Sequence, residues 1–342
     1  MKKFLAICLL VLFAVVVSLD PVSAQEATPE PLVVFGAYAT PIEEPWDGVI
    51  HAALLKAQAA GTISYTYQDN IGYSGDMEVV LRGVAEDLHP AIIFGDGFGN
   101  EEAVRRVAKD YPEIDFVFGS ELGPTSPNVS VFDNWIHEPA YLSGWLAGKL
   151  TKTNKVGVVG AMPIPEVNRL VNAFIEGAQT ANPDVQVSVS FINSFFDPAA
   201  AKEAALAQID AGVDVLYAER FGVIEAAKEH GLLAFGNMSD QNELAPDTVV
   251  TGPVWDMGPT VDFVIKQVQA GSYTDLDLKD FSMMGQGGAS LAPLHGFEKT
   301  LDPDVLKGLT DLESQIKDGM FRVDINEAAP ANSVTVEATP EA

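Results

Sequence analysis

A single cysteine, Cys8, occurs in 342 residues, and it lies inside an apolar N-terminal run. Beyond that run, disulfides, thiolate catalysis and cysteine metal sites are excluded. Basic residues are also scarce: 20 Lys and Arg stand against 48 Asp and Glu, for a net charge of −28. Nucleic acid and anionic membrane surfaces would be repelled at long range, so neither is expected as a partner. The five histidines, His51, His89, His137, His230 and His295, lack the spacing of a metal site. No G-x-S-x-G or comparable nucleophile motif occurs. The acidic residues are dispersed, without the clustered carboxylates that metal or acid–base catalysis requires, so binding rather than turnover is expected, with no cofactor.

What is present begins with Lys2 and Lys3, an apolar run from Phe4 to Val17, and the small-residue exit Val22-Ser23-Ala24. That order describes a secretory signal peptide. The run is shorter than the roughly 20 apolar residues of a membrane anchor, and no later stretch is longer. Residues 1–24 are expected to be cleaved, leaving a soluble, exported protein of the periplasm or cell envelope. Loss of Lys2, Lys3 and Asp20 deepens the negative charge by one unit. Residues 25–31 and 326–342, rich in Ala, Pro, Thr and Glu, are expected to be a disordered linker and tail.

Between these flanks, short apolar runs alternate with amphipathic stretches. Leu32–Phe35, Ile63–Tyr67, Ala91–Phe94, Phe116–Phe118, Val129–Phe132, Val156–Val159, Val185–Phe191, Val213–Tyr217, Leu232–Phe235 and Val249–Thr251 have strand character. Glu101–Asp110, Glu166–Ala181, Ala199–Ala211 and Val223–His230 have helical spacing. Serial β-α-β of this kind predicts an α/β fold with parallel sheets covered by helices on both faces. The length exceeds what one core usually supports, so two lobes are expected. Residues 32–135 with about 253–283 would form the first, and 136–252 with about 284–325 the second.

Parallel sheets bind ligands beyond the carboxyl ends of their strands. The residues there are mostly aromatic: Tyr38, Trp46, Phe98, Trp135, Phe195, Phe196 and Trp255. Their polar companions are Asp96, Asp133, Asn134, Asn193, Arg220, Asn237, Asp240 and Asp256. Repeated flat rings with a few amides and carboxylates suit a planar heteroaromatic ligand. Trp46, Phe98 and Phe195 are expected to stack on it, Asn193, Asn237 and Asp256 to contact its edge, and Met162 and Arg220 to line the second lobe. Gly95-Asp96-Gly97-Phe98-Gly99 superficially suits a dinucleotide, but its third glycine is missing and Asp96, Glu101 and Glu102 would repel a pyrophosphate. Gly285-Gln286-Gly287-Gly288 has no lysine and is expected to form a turn.

The segment Gly157-Val158-Val159-Gly160-Ala161-Met162-Pro163-Ile164-Pro165-Glu166-Val167, continuing through Asn172-Ala173-Phe174-Ile175-Glu176-Gly177-Ala178, resembles the basic membrane protein family. Asn193-Ser194-Phe195-Phe196-Asp197-Pro198, Ala211-Gly212-Val213-Asp214-Val215 and Gly236-Asn237-Met238-Ser239-Asp240-Gln241 carry the same likeness, which spans roughly Leu32 to Val323. The resemblance implies a type I periplasmic-binding-protein fold, with two Rossmann-like lobes that close about a hinge on a small ligand. It implies an ABC permease and its ATPase as partners and a purine base or nucleoside as ligand; a monomer is expected. Nucleoside-binding members carry an acidic residue near Tyr38-Ala39-Thr40, an aspartate at Asn237 and a lysine near Val254-Trp255. Their absence favours a free, adenine-like base. An envelope sensor docking on a receptor would use the same cleft, and a nucleoside hydrolase is a further alternative.

Overall fold

The apolar runs form two five-stranded parallel sheets, because helices cover both faces of each. A computed structural model describes residues 30–120 and 122–335 of the chain. In the first sheet β1 (Leu32–Ala37), β2 (Ile63–Gln68), β3 (Ile92–Asp96), β4 (Asp115–Gly119) and β5 (Val129–Phe132) run in the order β2-β1-β3-β4-β5. Helices α1 (Pro45–Ala59), α2 (Asp76–Asp87) and α3 (Glu101–Asp110) link its first four strands. Helix α4 (His137–Leu150) then leads into the second lobe.

That lobe alternates β6 (Lys155–Gly160), α5 (Pro165–Ala181), β7 (Gln186–Phe191), α6 (Pro198–Asp210), β8 (Val215–Ala218), α7 (Val223–Glu229) and β9 (Leu233–Phe235). An antiparallel pair, β10 (Pro253–Trp255) and β11 (Ala289–Leu291), brackets α8 (Gly258–Gln269). Helix α9 (Pro303–Lys317) and the short β12 (Val334–Thr335) follow, and β12 completes the order β12-β7-β6-β8-β9. No helix among the described residues is long and apolar enough to cross a membrane.

Local chemistry accounts for many boundaries. Helices α1, α5, α6 and α9 each begin with a proline in the first turn, where the missing N–H costs no helical bond. Asp197 caps α6 by accepting from the Ala200 N–H at 2.9 Å. Three apolar clusters hold the layers together. One lies where α2 and α3 cover the first sheet, around Phe35, Ile93, Phe116 and Phe118. A second lies where α6 and α7 cover the other, around Val159, Ala205 and Leu216. The largest continues from the first sheet through α4 and α5 to the second. Helices α4 and α5 approach closely through Gly144 and Gly177: a Cβ at either would fall within 2.0 Å of a carbonyl oxygen on the other helix.

Two expectations need correction. Val249–Thr251 is not a regular strand; only Val249 bridges Ala234, and laddered pairing resumes at Pro253. The part of the 326–342 tail that is described, up to residue 335, is held in place. Asn172 on α5 donates to the Asn326 and Ala328 carbonyls, both at 2.8 Å, and Asn168 donates to the Glu327 carbonyl at 3.1 Å. Side-chain amides thus satisfy backbone groups that lack regular structure, so the segment needs no periodicity to pack. The cleavage site, residues 25–29 of the linker and the last seven residues lie outside the described residues.

Candidate functional site

The carboxyl ends of the strands deliver loops from both lobes to a cleft of about 300 Å³. From the first lobe, Glu44 caps α1: its Oε2 accepts from the Trp46 N–H at 2.8 Å and the Asp47 N–H at 3.3 Å. This fixes the start of the helix that carries Trp46. The Trp46 indole stacks on Phe132 (5.6 Å, 19°) and lies tilted against Trp255 (5.1 Å). Gly119 at the end of β4 gives it room, since a Cβ there would sit 1.8 Å from Trp46 Cη2. At the end of β3, Asp96 Oδ1 accepts from the Phe98 N–H at 2.9 Å and shapes the turn that presents Phe98.

The second lobe answers with Phe195, after β7, whose ring meets Phe98 edge to face at 5.1 Å. Arg220, after β8, lies 5.9 Å over that ring and donates to the Phe195 carbonyl at 2.9 Å. Its charge is consumed locally. Its Nε donates to Glu219 Oε2 at 2.9 Å, and its Nη1 reaches across to Glu44 Oε1, also at 2.9 Å. All three residues are buried. The pair is therefore a tie between lobes and not a free cation.

Carboxyl groups dominate the rest of the lining, with Glu44, Asp96, Glu101, Asp133 and Glu166 all present. Asp133 is paired with Arg169 at 2.7 Å, and Arg169 binds Glu327 of the C-terminal segment at 2.6 Å. Glu166, in the first turn of α5, accepts from Asn134 at 2.5 Å. Burial lifts the Asp96 pKa to about 7, with Glu44 and Glu101 adding to the effect. Burial also lifts Glu166, to about 8, helped by Glu219 and Asp133 and opposed by Arg220 and Arg169. Glu44 is raised by burial despite Arg220. Burial works against the Arg220 charge, but Glu219 and Glu44 more than offset it and hold its pKa above the ordinary value. A carboxyl that keeps its proton near neutrality can both donate and accept.

Of the residues expected to contact the ligand, Trp46, Phe98, Phe195 and Arg220 line this cleft, as do Asp96 and Asp133 of their polar companions. The other expected contact residues lie elsewhere. Tyr38 is fully buried and its hydroxyl bonds that of Tyr65 at 2.8 Å. Trp135 stacks under Arg169 at 5.5 Å, and Trp255 is core, donating to Ser282 at 2.9 Å behind Trp46. Asn237 is buried and accepts from the Tyr217 hydroxyl at 2.8 Å. Asp256 accepts from the Gly258 N–H at the start of α8. Met162 is half-buried, and Asn193 and Phe196 are exposed. The position after a strand thus points to loops that meet at this cleft, but not to the direction in which each side chain points.

Glu44, Glu101, Glu166 and Thr40 were missed as lining residues, although Glu166 sits within the quoted motif. The available signal was an acid in the first helical turn after a strand, a placement that stabilises the helix dipole wherever it occurs.

Comparison with known proteins places these observations in context. The family model described as ABC transporter substrate-binding protein PnrA-like (Bmp) matches residues 37–276. A purine-binding protein of Brucella abortus (strain 2308) is 32% identical over 259 residues, covering 75% of this chain and 72% of its own. The ABC transporter nucleoside-binding protein BmpA of Lactococcus lactis subsp. cremoris is 31% identical over 239 residues, 70% and 63% of the two chains. A putative glucose-binding protein of Haloferax volcanii is 37% identical over a shorter 178 residues, 50% and 45%. Among solved structures, a solute-binding protein from Aeropyrum pernix K1 superposes with a TM-score of 0.73 at 19% identity, covering 86% of this chain and 94% of its own. That likeness establishes the fold alone.

Proposed function

Since the chain belongs to the Bmp family of ABC transporter substrate-binding proteins, we propose that it captures a purine nucleobase of the adenine type, or its nucleoside, between its lobes and delivers it to an importer. One observation carries this reading: aromatic rings from both lobes, Trp46 and Phe98 from one and Phe195 from the other, converge on a cleft whose polar lining is rich in carboxyl groups. A flat heterocycle gains about 1–3 kcal/mol from stacking on an aromatic side chain, and its N–H groups find carboxyl acceptors in the lining, Asp96 among them.

Anionic ligands fit poorly. Among the described residues the lining cation is Arg220, already paired with Glu219 and Glu44, so a phosphate would find no free cation and would meet a lining rich in acidic groups. A base is favoured over a nucleoside because Asn237, the position of a ribose-binding aspartate in nucleoside-binding members, is tied to Tyr217 and Glu219.

Mass spectrometry of the ligand released on denaturing freshly purified protein tests the proposal directly. A melting screen of stripped protein against purine bases, nucleosides, pyrimidines and sugars complements it. A ligand bound only by the folded state at a hundredfold excess over Kd adds about 2.7 kcal/mol of stability. A shift with glucose and none with any purine would overturn the assignment.

A further inference from the structure

Glu166 stands out among the lining acids for what surrounds it. It is only 8% exposed, yet it lines the cleft. One oxygen, Oε1, accepts from Asn134 Nδ2 at 2.5 Å, while the other has no partner among the described residues. Among the described residues the two nearby cations are already paired. Arg220 is held by Glu219 and Glu44, and Arg169 by Asp133 and Glu327.

Resting on the purine reading above, we propose that the Glu166 carboxyl is a hydrogen-bond donor to a bare ring nitrogen of the ligand, so that the cleft selects a neutral heteroaromatic base and takes up a proton as it binds.

The groups facing Glu166 support the protonated form. Burial disfavours its charge, the Glu219 and Asp133 carboxylates add to that, and Arg220 and Arg169 only partly oppose it. A proton held in this way near neutral pH gives an O–H on an oxygen that has no partner among the described residues, in a cleft that Trp46, Phe98, Phe195 and Ile164 also line. An sp² ring nitrogen supplies one, whereas an N-protonated or N-alkylated edge does not. A cationic ligand would instead need the carboxylate, so the two ligand classes predict opposite pH slopes. Across the cleft, Asp96 titrates lower, through about 7, beside Glu44, Glu101 and Asp47. Its contribution is nearly complete by pH 8, so the Glu166 slope is read between pH 8 and 9.

Calorimetric titration with adenine from pH 7 to 9 tests this. Since the protonated form is the binding form, affinity should fall as pH rises past about 8, tending toward tenfold per unit. At pH 8.5, titrations in two buffers of unlike ionisation enthalpy should register uptake of roughly half a proton or more per adenine bound. In Glu166→Gln the amide N–H donates at every pH. Its affinity should lose the decline above pH 8, so that it binds more weakly than the parent at pH 7 and more tightly at pH 9.

Affinity that is level or rising from pH 8 to 9, absence of proton uptake, or a decline that persists in Glu166→Gln would each overturn the role given to Glu166. Adenine that fails to bind at any pH would instead remove the purine reading itself. The proton count uses the parent protein, so the test stands even if the variant folds poorly.

Discussion

Gly119→Ala isolates the wall against which the ligand would stack. A Cβ at this position would lie 1.8, 2.7 and 2.8 Å from Trp46 Cη2, Cζ2 and Cζ3. Non-bonded carbons prefer about 3.5–4.0 Å, so the indole must retreat by about 2 Å. Phe132 and Trp255 press on it from 5.6 and 5.1 Å, so it cannot do so without disturbing packed rings. Overpacking of this kind costs about 1–3 kcal/mol of stability. If the displaced ring no longer stacks, a further 1–3 kcal/mol of binding is lost, roughly a 5- to 150-fold weakening. Calorimetry with adenine measures the second effect and denaturant unfolding the first. Gly123→Ala is the control, since its Cβ would meet nothing within 4 Å. Parent-like affinity and stability in Gly119→Ala would show that Trp46 is not held where the ligand would need it.

Three further outcomes are expected. Phe195→Ala removes a half-buried ring, so adenine affinity should fall by about tenfold, equivalent to 1.4 kcal/mol, with little change in melting; normal binding by a destabilised variant would mark the ring as core. Glu44→Gln has one acceptor oxygen to serve both the α1 N–H groups and Arg220, so loss of a charged hydrogen bond should cost about 1.5–3 kcal/mol in denaturant unfolding; an unchanged midpoint would mean that the tie between lobes contributes nothing. The folded pKa of Asp96 is raised from 3.8 to about 7, so its contribution to stability is fully present below its unfolded pKa and is lost as pH rises through 7. The empty protein should therefore melt at lower temperature at pH 8.5 than at pH 5.5, and Asp96→Asn should shrink that difference; an equal difference in both proteins would refute the attribution.

Much of the fold was legible because its rules are local. Nine of the expected apolar runs are strands in the two parallel sheets, since a run buried on both faces needs only to be apolar and short. The stretch Glu101–Asp110 forms α3 with the bounds expected, its acids at the N-terminus and Lys109 in the last turn matching the helix dipole. The sequence of the last strand and of the tail was misread for the same reason. Val249–Thr251 has strand composition and bonds to β9 along its edge, but pairs in a bridge at Val249 and not in a ladder, and Asn326–Ala328 lacks periodicity yet satisfies its carbonyls through α5.

At the site, sequence determined which loops meet, because parallel strands place their carboxyl ends on one edge. It thereby singled out Trp46, Phe98, Phe195 and Arg220. Tertiary structure alone decided that Tyr38 and Trp255 turn into the core and that acids from the first turns of helices line the cleft. It also decided their charge. Arg220 is neutralised by Glu44 from the opposite lobe, and Glu166 is raised by burial and then by Glu219 and Asp133 from other strand ends. A side chain's direction and its proton depend on burial and on neighbours distant in sequence, and neither is encoded in the residues beside it.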